Sequence, residues 1–204
     1  MDLLLATRNR NKVHEFSHML ESLTLAIRTL DDFPDAPEVI EDGGTFEANA
    51  VKKAVTLAKH TGLLTLADDS GLMVDALGGE PGVRSSRYAG ENPTDFENNT
   101  KLLEQMKNVE DDRRHATFVC CIALADKNGV IRTVTGRCEG QILEDARGRE
   151  GFGYDPLFAK GGYNLSFAEM SLEIKNRVSH RAMALEKALL ALESYLMSDG
   201  GKSR

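Results

Sequence analysis

The sequence lacks a long apolar run and a secretion-type N-terminus, and it contains only three cysteines. No stretch approaches the ~20 apolar residues of a membrane span, so we expect no membrane partner. No basic region precedes a long apolar stretch near Met1, so we expect no secretion signal. Cys120, Cys121 and Cys138 form neither a CxxC pair nor an even framework, which favours reduced thiols in a core and a cytoplasmic location.

Basic residues are outnumbered by acidic ones, since 25 Lys and Arg stand against 32 Asp and Glu and give a formal net charge of −7. An extended nucleic-acid surface would show a basic stripe, and we therefore expect no nucleic-acid partner. Local groups of Lys and Arg can still hold one phosphate, particularly where a divalent metal adds its own charge. The phosphate-binding spacings GxxxxGK(S/T) and GxGxxG after a strand are both missing.

Strand-like and helix-like patterns alternate at first, and an Asn128-Gly129 hairpin signal follows. This order predicts an α/β fold in which helices cover both faces of a mixed sheet. At 204 residues, the chain should form one domain or two lobes sharing a core, over 1–197, followed by a disordered tail at 198–204. The predicted strands are 3–6, 63–67, 72–77, 116–125 and 130–136, and the predicted helices are 11–22, 46–60, 93–107 and a last helix striped by Leu185, Leu189, Leu192 and Leu196.

The first candidate site is the junction between the first strand and the first helix, at 7–12. Backbone N–H groups at a helix N-terminus favour an anion, and this junction adds a hydroxyl, amides and cations. A phosphate cradle is the functional interpretation, and a solvated turn with an ordinary cap is the alternative. The polar residues of this junction are Thr7, Arg8, Asn9, Arg10, Asn11 and Lys12.

The second candidate site is the acid pair Asp68 and Asp69, followed by Ser70 and Gly71 at the end of an apolar run. Consecutive strand residues face opposite sides, so the two acids should have different roles. One could bind a metal or take a proton from water while the other braces nearby backbone. An acidic turn that satisfies local N–H groups is the alternative.

The predicted helix that follows Thr45 contributes a third candidate site. Asn49 and Lys53 are four residues apart and share one face of this helix. Just upstream, Glu41 and Asp42 could supply a further metal oxygen. Lys52 and Lys53 would otherwise lie on a wet surface.

Two later stretches carry features suited to binding a nucleobase. Phe152 and Tyr154 offer flat surfaces in a glycine loop, and Asp155 could read the edge of a stacked base. His180 and Arg181 lie in the first turn of a predicted helix, where cations oppose the helix dipole, so anion or purine binding could explain them. Core aromatics and a surface histidine are the respective alternatives.

Taken together, these stretches resemble the Ham1/RdgB family of non-canonical purine nucleoside triphosphate pyrophosphatases. The resemblance covers roughly 1–197 and consists of five motifs in order. They are S/T-x-N-x-x-K at 7–12, TFxxNAxxKA at 45–54, ADDSGLxVDxLGGxPGVxSxRYAG at 67–90, GFGYDPxF at 151–158 and SHR at 179–181.

The resemblance implies Mg²⁺-dependent hydrolysis of ITP, dITP and XTP to the monophosphate and pyrophosphate, in a homodimer whose two lobes flank a cleft. It makes Asp69 the catalytic acid and a metal ligand, and Glu41 a second metal-associated carboxylate. It implies that Thr7 to Lys12 and Lys53 bind the triphosphate and that Ser70 contacts substrate. The implied base-recognition residues are Phe152, Gly153, Tyr154, Asp155, Lys175, His180 and Arg181.

Several alternatives stay open at this point. Many family members have Gly where this chain has Arg8, which either points outward or adds a phosphate contact. A Maf-like pyrophosphatase shares the architecture but not the GFGYDP and SHR stretches. A non-catalytic nucleotide sensor could dispense with Asp69. The segment Leu72–Leu77 with its following loop is a candidate apolar surface for a homodimer.

Overall fold

The computed structural model describes residues 1–21 and 23–199, and within them six strands form one mixed sheet. The strand order is β2-β1-β3-β4-β5-β6. Strand β1 pairs in parallel with both β2 and β3, and β5 pairs antiparallel with β6. The strands are β1 (Asp2–Leu5), β2 (Ala26–Thr29), β3 (Leu64–Val74), β4 (His115–Asp126), β5 (Gly129–Ile142) and β6 (Phe158–Lys160).

Five α-helices lie in the described part of the chain, and several begin and end at the residues that the sequence signals. Thr45 caps the second helix through Ala48 N–H, and Gly62 ends it in the left-handed region at φ 72°. The third helix begins at Asp95, after the Thr94 cap and two residues beyond the expected start at Pro93. The helices are α1 (Arg10–Leu20), α2 (Phe46–Thr61), α3 (Asp95–Met106), α4 (Leu172–Val178) and α5 (His180–Asp199).

The chain divides into two compact units. The first unit contains Met1–Asp69, Cys120–Gly136 and the chain from Ala182, and the second contains Ser70–Val119 and Arg137–Arg181. Strands β3, β4 and β5 therefore each supply residues to both units.

In the first unit, alternation along the strands creates two apolar layers. Leu3 and Leu5 pack with α1 and α5, whereas Leu4 packs on the other layer with the alanine-rich face of α2. The same alternation continues along β3, where Leu66 joins the first layer and Ala67 the second. Helices therefore cover both sides of this part of the sheet, as the sequence predicts.

The second unit has a separate core that is richer in aromatic side chains. Phe118, Phe158 and Phe167 pack together, with ring centroids 4.7 Å to 5.7 Å apart. Leu72 and Val74 of β3 are fully buried in this core. The expectation that the segment Leu72–Leu77 is an exposed apolar surface is therefore wrong for these two residues.

Several element boundaries differ from the predictions. Strand β3 runs without a break through Asp68 and Asp69, because both carboxylates find polar partners. The short elements β2, β6 and α4 were not predicted, since four, three and seven residues carry little periodic signal. Residue 22 of the first predicted helix and residues 200–204 of the predicted tail lie outside the described residues, whereas 198 and 199 belong to α5.

The three cysteines occupy core positions, as the sequence predicts. Cys120, Cys121 and Cys138 are buried and form no disulfide within residues 1–21 and 23–199, and burial raises the pKa of Cys138 to about 11. Across residues 1–21 and 23–199, no helix combines the length and apolar character that crossing a bilayer requires.

Candidate functional site

The acid pair on β3 is divided between two partners in the first unit. Lys12 Nζ of α1 donates to Asp68 Oδ2 at 2.8 Å, and Asn49 Nδ2 of α2 donates to Asp69 Oδ2 at 2.9 Å. Consecutive strand residues face opposite layers, and α1 and α2 pack on opposite layers of this sheet. The two acids therefore face different surroundings, and that they have different roles stays a prediction.

Asp69 is buried, and burial raises its pKa above the ordinary value for an aspartate. The negative charge of Glu41 raises the pKa further, while Lys53, the Asn49 amide and Lys12 oppose the rise. The net result is a carboxyl group that takes up a proton more readily than an exposed aspartate. Such a group is a stronger base than an exposed aspartate, which suits a proton acceptor.

The Asn49 amide connects Asp69 to the loop before α2. Its Oδ1 accepts from Gly43 N–H at 2.7 Å while its Nδ2 donates to Asp69. A Cβ on Gly43 would lie 2.6 Å from that Oδ1, so only glycine leaves room for the amide. Asn49 therefore fixes the orientation of the Asp69 carboxylate, and the sequence indicated it only through the four-residue spacing to Lys53.

Lys53 is buried to 8% exposure and lies between acidic groups. Its Nζ contacts Glu41 Oε1 at 2.5 Å. Burial lowers the pKa of Lys53, but attraction to Asp68, Glu41 and Asp69 outweighs burial and leaves the pKa above its ordinary value. Lys53 therefore stays charged at neutral pH, which is what binding an anionic group requires.

The junction between β1 and α1 is organised by its own side chains. Asn9 caps α1, since its Oδ1 accepts from Asn11 N–H and Lys12 N–H, and Thr7 Oγ1 accepts from Asn9 N–H. Together with the Lys12 ammonium near Asp68, these contacts hold a compact turn beside the acid pair.

Arg8 is an exposed residue whose guanidinium contacts the acidic loop. Its Nη2 donates to the carbonyl of Ala36 at 3.1 Å, and Ala36 is buried in the α2 layer. Arg8 thus ties the 7–12 junction to the loop that precedes Glu41. The side chains of Arg10 and Asn11 are exposed.

The second unit gathers the predicted base-recognition residues around Phe152 and Asp155. Asp155 Oδ2 accepts from Lys175 Nζ at 2.5 Å and from Phe152 N–H at 2.8 Å. Lys175 Nζ also lies 4.9 Å from the centroid of the Phe152 ring. Gly151 passes so close to Asp155 that a Cβ there would collide with the carboxylate, which explains the glycine.

Arg181 and His180 are buried in the same unit rather than exposed at a surface. Arg181 is 2% exposed, its Nη2 donates to Ser70 Oγ at 3.3 Å, and its guanidinium lies 5.4 Å from the Phe152 centroid. The His180 ring stacks on Phe118, with 4.6 Å between centroids and 9° between planes. The Tyr154 hydroxyl donates to the carbonyl of Ser85 at 2.9 Å.

Two contributors to this second group were not found from the sequence. Asp95 and Asn99 of α3 both bind the backbone of Gly153. The only signal for them was their four-residue spacing, which is common on helices.

An Mg²⁺ ion fits the acids of the first unit by donor chemistry. Mg²⁺ prefers oxygen ligands and is commonly held by one or two carboxylates, with water and substrate phosphates completing the octahedron. Glu41 raises the pKa of Asp69 through repulsion between their charges, and a cation between them would relieve that repulsion. No group of three or more His, Cys, Asp or Glu with metal-binding geometry occurs in residues 1–21 and 23–199.

An α/β fold that places paired acids beside two lysine ammonium groups on one strand of a mixed sheet is an arrangement suited to an anionic ligand. Comparison with known families is more specific. The chain belongs to the Ham1 family, whose family model matches residues 3–191.

Individual relatives match nearly the whole chain. A protein from Desulforamulus reducens named dITP/XTP pyrophosphatase is 51% identical over 189 residues, covering 93% of this chain and 94% of that protein. A protein of the same name from Geobacter sulfurreducens is 52% identical over 183 residues, covering 90% and 92% of the two chains. The structure of a HAM1 protein from Coxiella burnetii superposes with a TM-score of 0.86 at 41% identity, covering 95% and 99%. A Maf-like assignment is not favoured by these matches.

Proposed function

We propose that the protein hydrolyses the non-canonical purine nucleoside triphosphates ITP, dITP and XTP to the monophosphate and pyrophosphate. Such a reaction removes deaminated purines from the nucleotide pool. The observation that carries the proposal is the buried Asp69, held by Asn49 and set among Glu41, Lys53 and Lys12. The names of the relatives support the same activity.

In this proposal Asp69 accepts a proton from the water molecule that attacks the α-phosphorus. A bond forms between the water oxygen and the α-phosphorus, and the bond from that phosphorus to the bridging oxygen of the β-phosphate breaks. The products are the nucleoside monophosphate and pyrophosphate. The raised pKa of Asp69 favours the proton transfer, and Asn49 holds the carboxylate in the orientation that the transfer needs.

The triphosphate is bound by the cations and amides of the first unit. Phosphoryl transfer depends mainly on positioning and charge stabilisation, so Lys12 and Lys53 should contribute strongly to the rate. When bound by Glu41 and Asp69, Mg²⁺ would neutralise phosphate charge and lower the pKa of the attacking water. The residues proposed for the phosphates are Thr7, Arg8, Asn9, Arg10, Asn11, Lys12 and Lys53.

The purine is bound by the second group, in which the face of Phe152 stacks on the base. Arg181 donates to the 6-oxo group of hypoxanthine or xanthine, and Ser70 holds the guanidinium in place. Adenine presents a 6-amino group instead, which would leave a buried donor unpaired at ~1–3 kcal/mol. Four further residues hold this group in place through the contacts described above, namely Tyr154, Asp155, Lys175 and His180.

The remaining parts of the proposal concern extent, assembly and location. The pyrophosphatase domain covers 1–197 and acts as a homodimer in the cytoplasm. Its substrate is a small molecule, and it has no nucleic-acid or membrane partner. The net charge of −7 supports the absence of a nucleic-acid partner. Sedimentation of the purified chain tests the homodimer.

The catalytic assignment is tested with Asp69→Asn, which keeps the size of the side chain and removes its ability to accept the proton. We expect turnover of ITP in Mg²⁺ to fall roughly 10²-fold or more. Asp42→Asn provides the matched control, because Asp42 is an exposed acid that pairs with Lys52. Near-normal turnover of the Asp69 variant would remove Asp69 from the role.

A further inference from the structure

Both backbone hydrogen-bonding groups of Gly153 are held by side chains of α3. Asp95 Oδ2 accepts from Gly153 N–H at 2.7 Å, and Asn99 Nδ2 donates to the Gly153 carbonyl at 2.9 Å. Asp95 and Asn99 are four residues apart and therefore lie on one face of the helix. The two side chains form a clamp on a single residue that is 54 positions further along the chain than Asn99.

The amide of Asn99 acts on the loop through its Nδ2 atom, which donates to the Gly153 carbonyl. Its Oδ1 atom has no hydrogen-bond partner within residues 1–21 and 23–199. The hydrogen bond to Gly153 is therefore what Asn99 contributes to the clamp, and replacing Asn99 by alanine removes it.

Gly153 directly follows Phe152 and joins it to residues that side chains hold in place. It has φ +61°, a left-handed conformation that favours glycine. On its C-terminal side, Tyr154 is fixed by Ser85 and Asp155 by Lys175. The clamp therefore completes the attachment of the loop between these fixed residues and Phe152.

We propose that Asp95 and Asn99 are positioning residues for purine selection, acting through Gly153 on the Phe152 ring. This inference rests on the proposed function, because it concerns the base-binding group of that enzyme. The clamp occupies the N–H and the carbonyl of Gly153, so neither group reads the edge of the base. The base is then recognised by the Phe152 face, Asp155 and Arg181. The selectivity for ITP over ATP therefore depends on the position in which α3 holds the loop.

The test compares Asp95→Ala, Asn99→Ala and the conservative Asp95→Asn with the control Glu104→Ala. Asp95→Asn retains an acceptor for Gly153 N–H but loses the first-turn charge that stabilises α3. Glu104 is an exposed acid near the other end of α3. The measurements are amide hydrogen exchange at Gly153 by NMR, kcat and KM for ITP, and the ratio of kcat/KM for ITP to that for ATP.

We expect Asp95→Ala to lose most of the protection at the Gly153 amide, because Asp95 accepts from that N–H, and Asn99→Ala to lose part of it, because the loop then opens more readily. Their KM for ITP should rise about tenfold while kcat changes less than about threefold, and the ITP-to-ATP ratio should fall, since base binding is weakened and the acids are untouched. Asp95→Asn should restore most of both properties, and Glu104→Ala should resemble the wild type.

Unchanged protection at Gly153 in the alanine variants would overturn the clamp, whatever their activity. Lost protection with an unchanged KM and ITP-to-ATP ratio would overturn its role in selection. Wild-type protein that does not hydrolyse ITP would instead overturn the proposed function, and the exchange data would still show whether α3 holds Gly153.

Discussion

Individual carboxylates in this protein acquire different properties from their partners rather than from their sequence neighbours. Asp68 pairs with a lysine, Asp69 with an amide, and Asp155 with Lys175 and a backbone N–H. The adjacent pair differs because alternation along β3 turns the two side chains toward different helices. Sequence reasoning predicted this division, since it depends only on the strand.

At the same scale, Gly151 is expected to be essential to the geometry of Asp155. In Gly151→Ala the new Cβ would collide with the Asp155 carboxylate, and the residue would also keep a φ of +76° that disfavours alanine. We expect the KM for ITP to rise about tenfold or more. A tenfold rise corresponds to a loss of ~1.4 kcal/mol in binding free energy. Steady-state kinetics check this, with Gly161→Ala as the control because its Cβ would meet only Glu139 O at 4.0 Å.

A KM for Gly151→Ala equal to that of the control would show that Asp155 can move without consequence. The role of Asp155 in base binding would then have to be abandoned.

At the scale of elements, Arg114 joins the end of α3 to the end of β5. Its guanidinium donates to four carbonyls, and the residue is 5% exposed. The acceptors are the carbonyls of Met106, Val109, Ile142 and Leu143. These four hydrogen bonds satisfy carbonyl groups at places where the regular backbone pairing of α3 and β5 ends.

Arg114→Met should therefore destabilise the protein, because the stem is kept while four buried carbonyls lose a donor. We expect the free energy of unfolding in urea to fall by about 3 kcal/mol. Arg113→Met is the matched control, since Arg113 is the exposed neighbour and should change stability by less than about 0.5 kcal/mol. Equal stability of the two variants would contradict the bracing role.

The hairpin between β4 and β5 is tied to α5 through Asp126. Burial raises the pKa of Asp126, but bonds from the N–H groups of Asn128 and Gly129 and from the Tyr195 hydroxyl outweigh it and leave the pKa below the usual range. A carboxyl whose folded pKa is depressed stabilises the fold above its unfolded pKa of ~3.9. That stabilisation disappears as the pH falls through the folded pKa.

Asp126→Asn should accordingly destabilise the protein by about 1 kcal/mol at pH 7 and by less near pH 3. Urea titrations at both pH values measure the difference, with the exposed Glu104→Gln as the control. A destabilisation that stays constant between the two pH values would show that the charge of Asp126 is not what holds the turn.

Helices with strong signals were predicted well at this scale, and contacts between distant residues were not. The Thr45 cap, the Gly62 stop and the Asn-Gly hairpin are local, so the sequence carries them directly. The continuity of β3 was missed, because the polar partners that let Asp68 and Asp69 stay in a strand come from α1 and α2.

At the scale of the whole molecule, each of the two units has its own apolar packing and its own group of candidate site residues. The first unit carries the acids and lysines, and the second carries the aromatic and guanidinium groups. Resemblance to a family indicated most members of both groups. It included Asn49 in a motif without giving it a role, and it did not indicate Asp95 or Asn99, because each of the three acts through a long-range contact that only the fold creates.

The most direct measurement is the identity of the phosphate product from a panel of nucleoside triphosphates in Mg²⁺. The account predicts pyrophosphate from ITP, dITP and XTP, with kcat/KM at least ~100-fold above the value for ATP. Release of orthophosphate, or equal hydrolysis of ATP or a pyrimidine triphosphate, would contradict it.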